Sequence, residues 1–313
     1  MLPFASVVDA QESLGRNLTY LELQWFRHTS GVSDYMLYCY NIVFLFIIFN
    51  LAPLPLVLLD VLQVRAAEKY KLQPGVHNSR DAVWKCYKSV MLLFFTVVGP
   101  LQLSSFPAVR FIGVRMGFPL PSFAEVGLHL FVYFLVEDYL NYWIHRWLHQ
   151  GWLYENIHRV HHEFMSPMSF AAPYAHWAEI ILLGVPTFMG PAMVPGHIIT
   201  LWIWIALRQL EAIDTHSGYD FPWNPTKLIP FYGGAEYHDY HHFVGGKSQS
   251  NFASVFTYCD WLYGTDKGYR YLKENNRKEM IAKAKLNSLD TSWMEIDSLK
   301  PLPNHHWKQT KLS

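Results

Sequence analysis

The sequence has little charge. Only 16% of its 313 residues are Asp, Glu, Lys or Arg, whereas an ordinary soluble domain carries about 25%. The 25 basic and 25 acidic residues cancel, so the chain lacks the positive field that attracts a nucleic-acid backbone. We therefore expect no nucleic-acid partner.

Cysteine is also scarce. The three cysteines, Cys39, Cys86 and Cys259, lie far apart and form no Cys-x-x-Cys pair, which excludes a disulfide framework and a thiolate zinc site. Apolar and aromatic residues are abundant instead, at 51% and 17% of the chain. This composition is typical of a membrane protein with Trp and Tyr anchors at the bilayer surface.

Four apolar runs account for this composition: residues 35–62, 90–106, 123–143 and 180–207. About 20 apolar residues suffice to span a bilayer as a helix. Pro53 and Pro55 interrupt the first run, which is either one kinked span or a hairpin that dips into the membrane and returns. The Pro- and Gly-rich centre of the fourth run predicts two short helices joined at a corner. We predict an all-α integral membrane bundle of about four hydrophobic runs, some of them hairpin-like.

Basic residues indicate the orientation of these runs. Residues 63–88 contain six Lys and Arg, and residues 107–121 contain two, so the positive-inside rule places the former segment in the cytosol. Crossing out and back through the next two runs returns the chain to the cytosol near His145, where we expect a helical cap. The predicted division is an N-terminal segment 1–34, membrane anchor helices 35–122, a histidine-rich domain 123–268 and a charged C-terminal tail 269–313.

The 16 histidines are mostly clustered. Three motifs stand out: HRWLH from residue 145, HRVHH from residue 158 and HDYHH from residue 238. Residues three and four apart share a helix face, so each motif can direct two or three imidazoles at one point. The eight histidines are His145, His149, His158, His161, His162, His238, His241 and His242. Since one ion takes about four to six ligands, eight predict two metal ions.

Imidazole alone does not select the metal, because zinc, copper, iron and nickel all accept it. A zinc hydrolase normally has a carboxylate base and a water-accessible cleft, whereas these motifs lie at the mouth of an apolar bundle. The C–H bonds of a lipid need an oxidant, which O2 activated at two irons supplies. A metal transporter is the non-enzyme alternative, but it needs ionisable ligands within its spans, where the sequence offers His129 and His197.

Polar residues near the motifs are candidates for orienting the imidazoles. Asn141 and Asp138 precede His145 by four and seven positions on the same helix face. Asp239, inside the third motif, can balance the charge of the metals. The sequence identifies no catalytic residue beyond the metal ligands.

The three motifs resemble the histidine boxes of the fatty acid hydroxylase superfamily, over about residues 125–268. The segments 172–179 (APYAHWAE), 208–223 (RQLEAIDTHSGYDFPW) and 229–269 resemble the sterol 4α-methyl oxidases, most closely the plant type. The resemblance implies that residues 123–268 form a catalytic domain with a non-haem di-iron centre. It also implies a multi-pass protein of the endoplasmic reticulum membrane, with its active site facing the cytosol.

The activity implied by the resemblance is O2-dependent, stepwise oxidation of a sterol C-4 methyl group to alcohol, aldehyde and carboxylate. Electrons would come from NAD(P)H through cytochrome b5 and its reductase, and the implied partners are the sterol, membrane lipid and other enzymes of sterol C-4 demethylation. The alternative within the superfamily is a di-iron hydroxylase or desaturase that acts on a fatty acyl chain, a sterol ring, an aldehyde or a carotenoid.

The resemblance also assigns residues. The eight motif histidines would hold the irons, and His216 matches a family position that makes it a ninth candidate. Asp214 and Asp220 lie near His216 and are candidates for orienting it. His176 also matches a family position, where a hydrogen-bonded residue at the membrane entry is the alternative to a ligand.

Overall fold

The computed structural model describes residues 4–244 and 250–290, and within them all regular secondary structure is helical, as predicted. The α-helices are α1 (Val7–Leu14), α2 (Tyr20–Thr29), α3 (Asp34–Leu51), α4 (Leu54–Val61), α5 (Arg65–Glu68), α6 (Arg80–Leu93), α7 (Gly99–Ser104), α8 (Phe106–Phe111), α9 (Phe123–Leu148), α10 (Gly151–Asn156), α11 (Trp177–Met193), α12 (Ile198–Thr215), α13 (Gly234–Val244), α14 (Tyr258–Tyr263) and α15 (Lys267–Asp290). A π-helical turn (Phe94–Val98) and 3-10 turns (His158–Glu163, Ser169–Ala171, Pro225–Leu228) lie between them. The charged tail begins as α15, and its residues 291–313 lie outside the described residues.

Two segments are long and apolar enough to cross a membrane, Asp34–Val61 and Arg80–Phe111. The first consists of α3 and α4 and is interrupted at Pro53, as the sequence predicted. The second joins α6, the π turn, α7 and α8, and it begins ten residues before the predicted run 90–106. The earlier start has a local cause, because the Ser79 side chain accepts a hydrogen bond from the first turn of α6 and caps it.

The third and fourth predicted runs form a second layer. The third run lies within α9, and the fourth is two helices, α11 and α12, joined at a corner that contains Pro195 and Gly196, as predicted. The helices α9 and α11 approach closely at Gly190, where a Cβ would lie 2.7 Å from the Tyr133 Cα. Trp204 of α12 is fully buried against α9 and completes this packing.

A buried polar network joins the first membrane segment to the loops that follow it. Asp60, at the end of α4, accepts a hydrogen bond from the Lys71 ammonium at 2.5 Å, and both side chains are at most 5% exposed. The Asn78 backbone N–H and side-chain amide also donate to Asp60, each at 3.1 Å. The same Asn78 amide donates to the Ser166 carbonyl at 3.3 Å, so the network fixes the membrane segment against residues 164–168.

We expect Asp60→Ala to destabilise the protein by about 3–5 kcal/mol, because it leaves the Lys71 ammonium buried without its carboxylate. Thermal and chemical unfolding in detergent measure the effect. The matched control is Glu274→Ala, which removes a carboxylate from an exposed pair on α15 and should change stability little. A loss for Asp60→Ala no larger than that of the control would contradict the prediction.

Candidate metal centre

Nine buried histidines meet in two adjacent groups. The first group is His145, His149, His158, His162 and His241, and the second is His161, His216, His238 and His242. Within each group the candidate ligand atoms lie within 4.8 Å of one another. The structure therefore brings together all eight motif histidines and the ninth candidate, and each group could hold one metal ion.

Each HxxHH motif contributes two histidines to one group and its third histidine to the other, which agrees with the expectation that a motif can direct two or three imidazoles at one point. In α13, His238 and His242 belong to the second group while His241 belongs to the first. Successive residues of an α-helix are rotated by about 100°, so the residues three and four positions beyond His238 point in different directions. The HRVHH motif lies on a 3-10 turn, and there His161 belongs to the second group while His158 and His162 belong to the first.

Backbone carbonyls fix the outer ring nitrogen of four histidines. The Nδ1 atoms donate as follows: His145 to Phe252 O at 2.8 Å, His161 to Tyr174 O at 3.0 Å, His216 to Ala212 O at 2.8 Å and His241 to Ser250 O at 2.7 Å. A carbonyl oxygen only accepts, so Nδ1 carries the proton in each ring. The neutral ring then presents the lone pair of Nε2 to the interior of its group.

The pair His161 and His216 shows that the second group suits a cation. Both rings have Nδ1 bound to a carbonyl, and their Nε2 atoms are 3.2 Å apart. Burial lowers the pKa of His216 to about 3 and lowers that of His161 as well, so both are neutral at pH 7. Two lone pairs thus face each other with no proton to share, an arrangement that a positive ion stabilises.

The spacing of the nitrogens also fits a metal. Neighbouring Nε2 atoms are 3.0–3.2 Å apart in both groups, as between His145 and His158 or His216 and His238. Two ligand nitrogens at right angles, with bonds of about 2.0–2.1 Å, would be separated by about 3 Å. The donor set, its tautomers and its dimensions agree with two ions bound by imidazole.

Glu179 is the carboxylate in contact with the histidines, and sequence reasoning missed it. Its Oε1 lies 2.9 Å from His158 Nδ1, and the residue is 1% exposed at the start of α11. A carboxylate behind a ligating imidazole orients the ring and raises its basicity. The available signal was an ionisable residue directly before a charge-free apolar run, which is a functional candidate in a membrane protein.

Asp138 and Asn141, the polar residues proposed from the first motif, form hydrogen bonds with residues other than the histidines. Asp138 accepts backbone N–H groups of Val255 and Phe256 at 2.9 and 3.1 Å. It thereby fixes the segment whose Phe252 carbonyl holds His145. The Asn141 amide donates to Glu137 at 3.0 Å.

The other proposed residues bind loops around the centre. Asp214 accepts from Asn224 and Tyr232, Asp220 from Lys227 and Asp239 from Gln73, at 2.8–3.1 Å. His176 lies outside both groups and caps α11, where its Nδ1 accepts from the Ala178 N–H at 3.2 Å. This contact agrees with the alternative of a hydrogen-bonded residue. Whether any of these residues tunes a metal stays a prediction.

A cavity of about 270 Å³ connects the apolar helices to both groups. Leu45 and Phe49 of α3 and Leu101 of α7 line one part of its wall, and α11 and α12 line another. The histidines in its wall are His145, His158, His161, His216 and His238. The cavity therefore joins side chains of both candidate membrane segments to both histidine groups.

Comparison with known proteins gives a consistent result. Residues 130–265 match the model of the fatty acid hydroxylase family. The chain is 62% identical to methylsterol monooxygenase 1-1 of Arabidopsis thaliana, over 88% of the chain and 93% of the relative. It is 60% identical to methylsterol monooxygenase 1-2 of the same plant, over 95% and 100%. It is also 62% identical to very-long-chain aldehyde decarbonylase GL1-10 of Oryza sativa subsp. japonica, over 89% and 92%. No solved structure matches the chain.

We expect two metal ions per chain in protein purified in detergent, and about one each in His241→Ala and His238→Ala, because these neighbours belong to different groups. Elemental analysis measures the content. His28→Ala, at an exposed histidine of α2, is the matched control and should keep two. Loss of both ions in each single variant would show that the groups do not load separately, and retention of both would refute the grouping.

We also expect the metal-free protein to lose stability as pH falls below about 6.5. The pKa of His216 is near 3 in the folded chain and near 6.5 in the unfolded chain, so the unfolded state binds more protons between these values and acid favours it. Unfolding in detergent between pH 8 and pH 5 measures the slope. His216→Gln should reduce it, and an unchanged slope would contradict the assignment.

Proposed function

The chain belongs to the fatty acid hydroxylase family, and from this premise we propose that it is a sterol C-4 methyl oxidase. It is an oxidoreductase, and the proposed reaction is the O2-dependent, stepwise oxidation of a 4α-methyl group to alcohol, aldehyde and carboxylate. The observation that carries the substrate class is the 60–62% identity to two relatives named methylsterol monooxygenases, over most of both chains. Family membership also decides against a metal transporter.

In this proposal the nine histidines hold two iron ions. When bound, the irons supply the oxidising chemistry that attacks a C–H bond with O2. The protein's own residues fix that centre: the carbonyls behind Nδ1 set the tautomers, and Glu179 anchors His158. Since these contacts are buried, the rings are held before any substrate arrives, which favours catalysis by positioning.

The cavity supports a lipid substrate. Its wall runs from the apolar side chains of the membrane segments to both histidine groups, so an apolar molecule can slide from the bilayer to the metals. The wall combines apolar side chains with several polar ones, and a sterol has one hydroxyl as its polar handle. Selection among sterols then depends on shape and on the few polar groups in the wall.

Each proposed oxidation step inserts one oxygen atom of O2 and reduces the other to water, so it consumes two electrons from a reductant. We assign this supply to NAD(P)H through cytochrome b5 and its reductase, as the family resemblance implies. The proposed setting is the endoplasmic reticulum membrane, with the histidines on the cytosolic side. Enzymes that remove the resulting carboxylate are the expected neighbours in the pathway.

A second candidate substrate is a very-long-chain aldehyde. It is favoured by the rice relative that is named an aldehyde decarbonylase and is 62% identical to this chain. That identity equals the identity to the first methylsterol monooxygenase, so sequence similarity does not distinguish a sterol from an aldehyde as the substrate. Analysis of the reaction products distinguishes them.

We expect iron-loaded protein, supplied with O2, NADH, cytochrome b5 and its reductase, to convert a 4,4-dimethylsterol to hydroxymethyl, formyl and carboxyl products. His161→Ala should abolish turnover and lower the iron content, while His28→Ala should retain both. A parallel incubation with a very-long-chain aldehyde should give no shortened alkane. Alkane formation without sterol oxidation would replace the proposed function by the second candidate.

A further inference from the structure

A carboxylate oxygen of a cavity-wall residue lacks a hydrogen-bond partner among the described residues. Glu211 of α12 lines the cavity and is 9% exposed. Its Oε2 accepts from Arg208, but its Oε1 forms no hydrogen bond among the described residues. A buried carboxylate oxygen without a hydrogen bond is unfavourable, and such an exception in a native site points to a ligand.

Arg208 holds Glu211 in place. One guanidinium nitrogen donates to Glu211, and the other donates to Glu137 of α9 at 2.8 Å and to the Ser254 hydroxyl at 3.0 Å. The guanidinium is thus fixed to two separate parts of the fold. With Oε2 bound to Arg208, Oε1 is the oxygen without a partner among the described residues, and Glu211 belongs to the cavity wall.

The position of Glu211 relative to the metal groups restricts what it can bind. Glu211 lies five residues before His216 of the second group, which corresponds to roughly 7 Å along the helix axis. A substrate atom near the histidines and a polar atom at Glu211 therefore lie a few bonds apart. In a 4-methylsterol, C-3 carries a hydroxyl and is bonded directly to C-4.

Glu179 offers the second unpartnered carboxylate oxygen in the wall, Oε2. Its other oxygen is bound to His158, so Glu179 lies directly behind a metal-group histidine. Glu211 is tied to Arg208 instead and can bind a substrate group without disturbing a ring. The remaining wall of α11 and α12 near Glu211 includes apolar residues such as Leu183 and Ile205.

We propose that Glu211 Oε1 accepts a hydrogen bond from the C-3 hydroxyl of the substrate and so determines which sterols are oxidised at C-4. This inference rests on the proposed function. The contact anchors the polar end of the sterol and places the neighbouring methyl group towards the histidines. A sterol with a blocked hydroxyl leaves Oε1 buried and unpartnered, and is therefore rejected.

The test compares two substrates in each variant: a 4,4-dimethylsterol with a free 3-hydroxyl and its 3-O-methyl ether. An ordinary hydrogen bond contributes about 0.5–1.5 kcal/mol, so the wild type should prefer the free hydroxyl by about 2- to 10-fold in kcat/KM. In Glu211→Leu the preference should fall to about 1, because kcat/KM for the hydroxyl sterol drops to that for the ether. Glu211→Gln keeps an amide oxygen and should retain part of the preference.

Within one variant, the ratio of kcat/KM for the two sterols does not depend on its iron content or folded fraction. If the role of Glu211 were only structural, its replacement would change the iron content or folded fraction but not this ratio. If the Glu211→Leu protein does not fold in sufficient amount, Glu211→Ala, which only removes side-chain atoms, allows the same comparison of the two sterols. Gln209→Leu is the matched control, since Gln209 lies on the same helix and lines the same cavity. Its preference should equal that of the wild type.

An undiminished preference in Glu211→Leu or Glu211→Ala, or its loss in Gln209→Leu, would overturn the inference while leaving sterol oxidation intact. Equal rates for both sterols in the wild type would overturn it as well. Oxidation of neither sterol by the iron-loaded wild type would instead overturn the proposed function, and the inference with it.

Discussion

The convergence of imidazole lone pairs in a buried volume is the constraint on which the rest of the structure depends. Nine rings are packed so that neighbouring inner nitrogens lie about 3 Å apart, and backbone carbonyls hold the proton on the outer side of four of them. Such an arrangement is unfavourable without positive charge among the nitrogens. The fold therefore holds the rings together against the repulsion between their nitrogen lone pairs, which a bound metal ion would relieve.

Buried carboxyl groups near the histidines would offset the charge of metal ions bound there. Glu137, Glu179 and Glu211 are at most 9% exposed, while Arg208 is the cation that contacts two of them. The surplus of acidic groups in this set agrees with the expectation that neutral imidazole ligands need carboxylates nearby. Asp239 stays the prediction from the sequence for this role, and the structure adds Glu179, whose Oε1 lies 2.9 Å from His158 Nδ1.

The features of the fold that the sequence predicted correctly are those that short stretches of the chain determine. The helical class, the break at Pro53 and the corner between α11 and α12 follow from apolar runs and Pro or Gly positions. The partners of the outer nitrogens could not be predicted, because the carbonyls of Phe252 and Ser250 act through backbone atoms that any residue supplies. Glu179 meets His158 only after the chain turns between them, so no short spacing reveals the contact.

The interleaving of the motifs has a structural consequence for two metals. His158 and His161, and likewise His238 and His241, lie three residues apart, belong to different groups and have ring centroids separated by 5.5 Å in both motifs. Each of the two HxxHH motifs thus sets the separation of the groups within one helical turn, and no flexible loop lies between the two histidines. A movement of α13 carries histidines of both groups together, so the distance between the two groups resists deformation. The HxxHH spacing therefore supplies candidate ligands and also keeps the two groups at a fixed distance, because its positions i and i+3 belong to different groups.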